Sequence, residues 1–76
     1  MWSREKFSES LKRLRVGNNL KQSELGSALV LSKQAISDME NGKRTTTLEN
    51  LVALADFFDV SIDYLVGRSD RPEVNK

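Results

Sequence analysis

The sequence predicts a single all-α domain built from five short helices, the second and third forming a closely spaced pair. Apolar residues recur at helical spacing in five separate stretches, and no stretch alternates with period two over enough residues to form a strand. Short polar turns separate the stretches, as they do in compact helical domains. The chain has 76 residues, the size of one small domain.

The first helix is predicted over residues 4–17. Phe7, Leu11 and Leu14 recur at i, i+4 and i+7, which places them on one face of a helix. Gly17 and the two asparagines after it end the helix, because glycine and asparagine tolerate the left-handed backbone conformation that closes one.

The central stretch, residues 22–42, reads QSELGSALVLSKQAISDMENG and predicts two helices joined by a tight turn. We expect helices over 22–29 and 33–41, with Ser32 as the N-cap of the second and Gly42 as its stop. Each is apolar on one side only. The predicted inward residues are Leu25, Ala28 and Leu29 in one helix and Ala35, Ile36 and Met39 in the other.

Two further helices are predicted over 48–58 and 62–66. Thr46 or Thr47 caps the first of them, and Thr46 with Glu49 three residues later fits a capping box. Ser61 caps the last helix and Gly67 ends it. We therefore expect a domain over residues 1–67, followed by a flexible polar tail over 68–76.

The chain contains no cysteine and no histidine. These absences disfavour nucleophile–histidine catalysis and most zinc chemistry, and the carboxylates show no recognisable site spacing. We expect no enzyme activity, no cofactor, no metal and no small-molecule ligand. No apolar run approaches the length of a membrane span, and the start MWSREKF lacks the apolar core of a secretory signal, so we expect a cytoplasmic protein that binds no membrane.

The net charge of +1 conceals an asymmetry along the chain. Residues 1–44 carry nine Lys/Arg against five Asp/Glu, and residues 45–76 carry three against six. The net charge is thus +4 over residues 1–44 and −3 over residues 45–76, which suggests that one face of the domain binds a polyanion and another faces away from it. An evenly solvated surface would give the same count, so charge identifies a partner only together with a motif.

The predicted third helix presents an uninterrupted polar strip. Successive helix residues turn by about 100°, so five polar side chains fall within an arc of about 140°, opposite the apolar ones. Glutamine can bond adenine N6 and N7, lysine can donate to guanine, and serine can pair with either. Any surface helix also has a polar face, and this remains an alternative. The strip consists of Lys33, Gln34, Ser37, Asp38 and Asn41.

The start of the second helix supports the interpretation of the third helix as a reader of bases. Gln22 and Ser23 stand in its first turn, where free backbone N–H groups favour a phosphate. One helix crossing the backbone beside another in the major groove is the helix-turn-helix arrangement.

The run LKQSELGSALVLSKQAISDMENGK resembles the Cro/lambda-repressor-like helix-turn-helix family, also called the xenobiotic-response-element type. Downstream residues resemble the last two helices of that family, so the resemblance covers residues 7–67. The matching positions are Leu20, Gln22, Glu24, Leu25, Ser32, Ile36, Glu40 and Gly42, then Leu51, Leu54, Ala55, Val60, Ser61, Asp63, Tyr64 and Leu65.

The resemblance implies a lambda-repressor-like fold and a role for each matched site. Bases would face Lys33, Gln34, Ser37 and Asp38, whereas phosphates would meet Gln22, Asn41, Lys43 and Arg44. Arg15 stands where many members pair an arginine with the glutamate matched by Glu40, although a solvated Arg15 is the alternative. Asp38 could accept from cytosine N4, repel phosphate in wrong registers, or simply be solvated.

Three positions depart from the family pattern. Val30 replaces the glycine of the turn, where a left-handed conformation would strain a β-branched residue. Lys21 replaces a threonine N-cap, so the second helix loses a side-chain cap. Gly26 replaces an alanine, which costs up to about 1 kcal/mol inside a helix.

A single reading helix covers few base pairs, so we expect a homodimer on a palindromic operator, with half-sites about 34–36 Å apart. The expected function is sequence-specific binding of double-stranded DNA by a transcriptional regulator, with the resemblance favouring a repressor. The alternatives are a helical protein–protein adaptor, an antitoxin-type module or an RNA-binding protein. Candidates for the dimer face are Phe57, Ile62, Tyr64 and Leu65; packing in the core is an alternative for Leu65 and for one of the two adjacent phenylalanines.

Overall fold

The computed structural model describes residues 4–68 and contains five α-helices with no strand in that range. The predicted tail over 68–76 lies outside the described residues except for Arg68. Each helix matches the predicted element to within one residue at either end. The helices are α1 (Arg4–Gly17), α2 (Gln22–Ala28), α3 (Lys33–Glu40), α4 (Leu48–Phe58) and α5 (Ile62–Leu65).

All five helices contribute to one core. α2 packs on α3, α1 packs on both α3 and α5, and α5 also packs on α4. The large side chains in the centre are completely excluded from solvent and come from every helix, so no pair of helices could bury them alone. They are Phe7, Leu11, Leu25, Ile36, Met39, Leu54 and Leu65.

Two predictions of side-chain direction are wrong. Leu65 is fully buried between helices, so it stabilises the monomer and cannot contact a second copy. Ala28 is exposed, because the inward side of α2 is centred between Leu25 and Gly26, with Leu29 half-buried beside them. At about 100° per residue, Ala28 lies at the outer edge of that face.

Every helix is followed by a left-handed residue, which in α4 is the C-cap itself and in α2, α3 and α5 comes directly after the C-cap. The N–H of the following residue then donates to a carbonyl in the last turn, as Leu20 does to Arg15 and Lys43 to Asp38. Two of the five left-handed residues are glycines and three are not. They are Asn19, Val30, Gly42, Asp59 and Gly67.

The turn between α2 and α3 contains a left-handed residue that is not a glycine. Val30 has φ +55° and its side chain is 93% exposed. The N–H of Leu31 donates to the carbonyl of Gly26 at 2.7 Å, which closes the turn. A Cβ on Gly26 would lie 2.6 Å from the Leu31 carbonyl oxygen, so the turn requires glycine at 26 and tolerates strain at 30.

Side-chain caps begin three of the helices. Ser32 accepts from the Ala35 N–H at 3.0 Å and Ser61 accepts from the Tyr64 N–H at 3.0 Å. Lys21 supplies no side-chain cap to α2, as predicted, but its own N–H donates to the Glu24 carboxylate at 2.8 Å. This bond provides half of a capping box.

The capping box predicted from Thr46 and Glu49 is wrong. Thr47 is the N-cap of α4 and accepts from the Asn50 N–H at 3.2 Å. The helix begins one residue later than that box requires, so Asn50 occupies the third position, and its side chain donates to Thr46 Oγ1 at 2.9 Å.

Within residues 4–68, no helix combines the length and apolar character needed to cross a membrane. The same part of the chain contains no group of three or more carboxylates arranged to hold a metal ion.

Candidate nucleic-acid interface

α3 is fixed by its apolar side and presents its polar side to solvent. Ala35, Ile36 and Met39 are buried in the core. On the other side, Lys33 and Gln34 are exposed, whereas Ser37 and Asp38 are half-buried and Asn41 is exposed. The structure therefore brings all five members of the predicted strip onto one accessible surface.

The polar strip is ordered by two hydrogen bonds between residues four apart. Gln34 Nε2 donates to Asp38 Oδ1 at 2.8 Å, and Asn41 Nδ2 donates to Ser37 Oγ at 3.3 Å. Residues at this spacing are neighbours on a helix, so the sequence contained the signal for both pairs. Neither pair was predicted.

Arg15 and Glu40 meet in a bidentate ion pair that joins α1 to the end of α3. Arg15 Nε lies 2.5 Å from one carboxylate oxygen and Nη2 lies 2.9 Å from the other. The Glu40 side chain is only 2% exposed and that of Arg15 is 14% exposed. The hydrogen bond to Glu40 raises the pKa of Arg15, with a smaller opposing effect from burial.

The same carboxylate also orders the start of α2. Gln22 Nε2 donates to Glu40 Oε1 at 3.3 Å, and Arg15 Nη1 donates to the Leu20 carbonyl at 2.8 Å. Three helices therefore meet at one buried ion pair, beside the surface where α2 begins and α3 ends. Because an amide nitrogen carries two hydrogens, Gln22 retains one donor for a second partner.

The residues predicted to meet phosphate flank the polar strip at the ends of two helices. Ser23 is exposed and Gln22 half-buried at the start of α2. Beyond α3, Lys43 and Arg44 are exposed. The N–H of Lys43 donates to the Asp38 carbonyl at 2.9 Å, so the backbone of this cation is held against the end of α3.

α4 and α5 also expose apolar side chains. Phe57 is 44% exposed and Ile62 is 36% exposed, whereas Tyr64 is half-buried. Val52 of α4 is also exposed and was absent from the predicted dimer face, but it lies about 140° around the helix from Phe57. A groove of about 310 Å³ separates these helices, lined by Val52, Ala55, Asp56, Val60, Ser61, Ile62 and Asp63.

A helix-turn-helix family model matches residues 11–65, which include all of α2, α3 and α4. The chain belongs to the Cro/C1-type helix-turn-helix family. This confirms both the predicted family and the lambda-repressor-like fold.

The relatives of this helix-turn-helix protein are transcriptional regulators. It is 43% identical over 60 residues to the transcriptional activator BcrR of Enterococcus faecalis, covering 79% of this chain and 29% of BcrR. It is 35% identical over 63 residues to the cryptic phage CTXphi repressor RstR of Vibrio cholerae, covering 83% of this chain and 56% of RstR. The chain spans 29% to 60% of the length of the curated relatives it matches.

A solved structure supports the fold at comparable identity. The P22 c2 repressor in complex with synthetic operator 9T has a TM-score of 0.77 and 30% identity to this helix-turn-helix protein. The match covers 83% of this chain and 96% of the repressor chain.

Proposed function

We propose that this chain is a transcriptional regulator that binds double-stranded DNA sequence-specifically, with α3 in the major groove. The observation that carries the proposal is the polar strip of α3, which stands opposite three buried anchors and is exposed at Lys33, Gln34 and Asn41. Lys33 and Gln34 lie in the first turn of α3, the part of a recognition helix that contacts base edges.

Phosphate contacts would set the position of α3 on the duplex. Gln22 and Ser23 at the start of α2, with Asn41, Lys43 and Arg44 beyond α3, provide donors on both sides of the strip. Glu40 holds Gln22 and Arg15 together, which fixes the angle between the helix crossing the backbone and the helix in the groove. The net positive charge of residues 1–44 supports the same orientation.

The chemistry of the strip favours DNA over the alternative partners. Its five side chains are amides, a hydroxyl, an ammonium and a carboxylate, which form hydrogen bonds to base edges. A protein–protein adaptor would present aromatic or aliphatic anchors there, and a reader of single-stranded RNA would present aromatic rings for stacking.

We further propose that two copies bind a palindromic operator through the surface of α4 and α5. Phe57, Ile62 and Val52 are exposed apolar side chains of these two helices, and Tyr64 is half-buried. Val52 and Ile62 line one groove. Half-sites about 34–36 Å apart would then be read by two α3 helices on one face of the duplex.

We propose repression as the regulatory outcome. The relatives include both an activator and a repressor, and the P22 c2 repressor chain solved with its operator is matched over 96% of its residues. A promoter–reporter fusion carrying the selected operator would lose expression when the protein is supplied. A rise in expression would show activation instead.

Selection of binding sites from a random pool of duplex DNA tests the proposal directly. We expect an enriched palindrome whose affinity falls by roughly 10³- to 10⁵-fold between 50 and 200 mM salt, as it does for proteins with 6–10 phosphate contacts. Lys43→Ala should weaken binding to every sequence alike, whereas the matched control Arg68→Ala removes a cation outside the interface and should leave affinity unchanged.

Enrichment of no sequence, with salt-independent retention, would overturn the DNA-binding proposal. Sedimentation of the complex at saturation tests the assembly separately. One protomer per operator would leave DNA binding intact and refute the homodimer.

A further inference from the structure

The hydrogen bond between Gln34 and Asp38 determines which way the Gln34 amide faces. A carboxylate only accepts hydrogen bonds, so the nitrogen of the amide must face Asp38 and the oxygen must point away. The opposite orientation would set the amide oxygen against a carboxylate oxygen. Gln34 is exposed, so its Oε1 is available to a partner in the groove.

We infer that Asp38 is a positioning residue that makes Gln34 select bases with an exocyclic amine, adenine first. The inference rests on the proposed function and adds a specificity that no single residue of the strip supplies. A glutamine without a neighbouring carboxylate can turn its amide over and present either its oxygen or its NH₂ group to a base. Asp38 removes that choice.

The orientation of the Gln34 amide determines which bases it can bond at the edge of the major groove. Adenine N6 and cytosine N4 are amine donors that match an outward amide oxygen. Adenine also offers the N7 acceptor to the second amide hydrogen of Gln34, which makes it the better match. Guanine O6 and thymine O4 are acceptors, and they would oppose Oε1.

The rest of the strip leaves this pair undisturbed. Ser37 is engaged with Asn41, since Asn41 Nδ2 donates to Ser37 Oγ at 3.3 Å. The Asp38 side chain is half-buried on the helix surface, and exclusion of water by a bound duplex would strengthen its bond to Gln34. Asp38 therefore has a use at a DNA-facing position where its charge alone would weaken binding.

A double-mutant cycle separates positioning from direct reading by Asp38. Site selection is performed with the wild-type chain, Asp38→Asn, Gln34→Ala and the double variant. We expect the wild type to enrich adenine at one position, which Gln34→Ala identifies. Asp38→Asn should relax that preference about two- to twelvefold, the net worth of one hydrogen bond, because asparagine can accept or donate. In the Gln34→Ala background, the same substitution should change nothing at that position.

Two controls address charge and local order. Glu9→Gln removes another exposed carboxylate and should leave every base preference unchanged. In the protein without DNA, the Gln34 amide proton that is bonded to Asp38 should resonate downfield of an exposed glutamine's, and Asp38→Asn should reduce that displacement. A purely structural role of Asp38 in helix stability would not move this resonance.

The outcomes are distinguishable from those of the proposed function. A wild-type chain that selects no sequence overturns both the proposed function and this inference. A wild-type chain that selects a site while Asp38→Asn keeps the same preference overturns the inference alone. An equal effect of Asp38→Asn with and without Gln34 would make Asp38 a direct reader, which also refutes the positioning role.

Discussion

Replacing Val30 by glycine should stabilise the domain, although it removes an apolar side chain. Val30 has φ +55° at the end of α2, a conformation that glycine adopts without steric cost. Its side chain is 93% exposed, so the substitution forfeits almost no buried surface. The backbone bonds that close the turn do not involve the side chain, and they remain in the variant.

The expected magnitude follows from two opposing terms. A left-handed conformation costs an L-residue about 1–2 kcal/mol, and a β-branched residue lies at the upper end of that range. Glycine increases the entropy of the unfolded chain, which offsets about 0.4–1 kcal/mol. The net gain in the free energy of unfolding is therefore about 1–1.6 kcal/mol. For a domain of this size, each kcal/mol shifts Tm by about 4–8 °C, so Tm should rise by about 4–13 °C.

Thermal and urea unfolding followed by circular dichroism would measure this change. Val30→Asn should also stabilise, because asparagine tolerates the left-handed region without the flexibility of glycine. Val16→Gly is the matched control, since Val16 is exposed in α1 with helical backbone, and there glycine should cost about 0.5–1 kcal/mol. If neither Val30→Gly nor Val30→Asn raises stability, Val30 carries no strain and the reasoning fails.

Three further substitutions test other parts of the structure. Glu40→Ala removes the carboxylate that pairs with the Arg15 guanidinium. The free energy of unfolding, measured by urea melts, should fall by about 3–5 kcal/mol. An unchanged midpoint would mean that Arg15 is solvated and not paired. Gly26→Ala forces a Cβ against the Leu31 carbonyl oxygen. The free energy of unfolding should fall by about 1–3 kcal/mol in the same assay, despite the higher helix propensity of alanine. A stabilised variant would refute that contact. Phe57→Glu should shift sedimentation toward the monomer, and unchanged association would exclude Phe57 from the dimer interface.

The helices could be predicted from the sequence because their signals are local. Apolar spacing located each helix, and the residues at its ends located the boundaries to within one residue. The cap of α4 was predicted as Thr46 or Thr47, since two adjacent threonines give nearly the same signal, and the capping box drawn from Thr46 is wrong. Only the backbone decides that Thr47 precedes the first turn of α4.

Features that depend on packing between helices could not be predicted from the sequence. Leu65 and Phe57 are both apolar residues near the end of the chain, yet one is buried and the other exposed because α5 lies against α1 and α4. Gly26 was predicted only to weaken α2. The close approach of the Leu31 carbonyl, which makes glycine necessary, depends on the path of the turn and on no local pattern.

On the candidate interface, the sequence identified the residues but not their arrangement. The periodicity of α3 placed the polar strip opposite the core, where the structure also has it. The link from Glu40 to Gln22 joins residues 18 positions apart, and no local spacing indicates such a contact. The Gln34–Asp38 bond could have been predicted, because residues four positions apart are neighbours on a helix.

The uniform closure of all five helix ends has a consequence for how the turns can evolve. The bonds that close each end run between backbone groups, so no particular side chain is required there beyond tolerance of a left-handed φ. Gly67 is an exception, because a Cβ there would collide with the Lys6 side chain. At Asn19, Val30 and Asp59 a side chain is already present, and Val30 shows that even a β-branched residue is accepted. Mutational tolerance at these three sites should therefore rank by left-handed propensity, with little regard to polarity or charge.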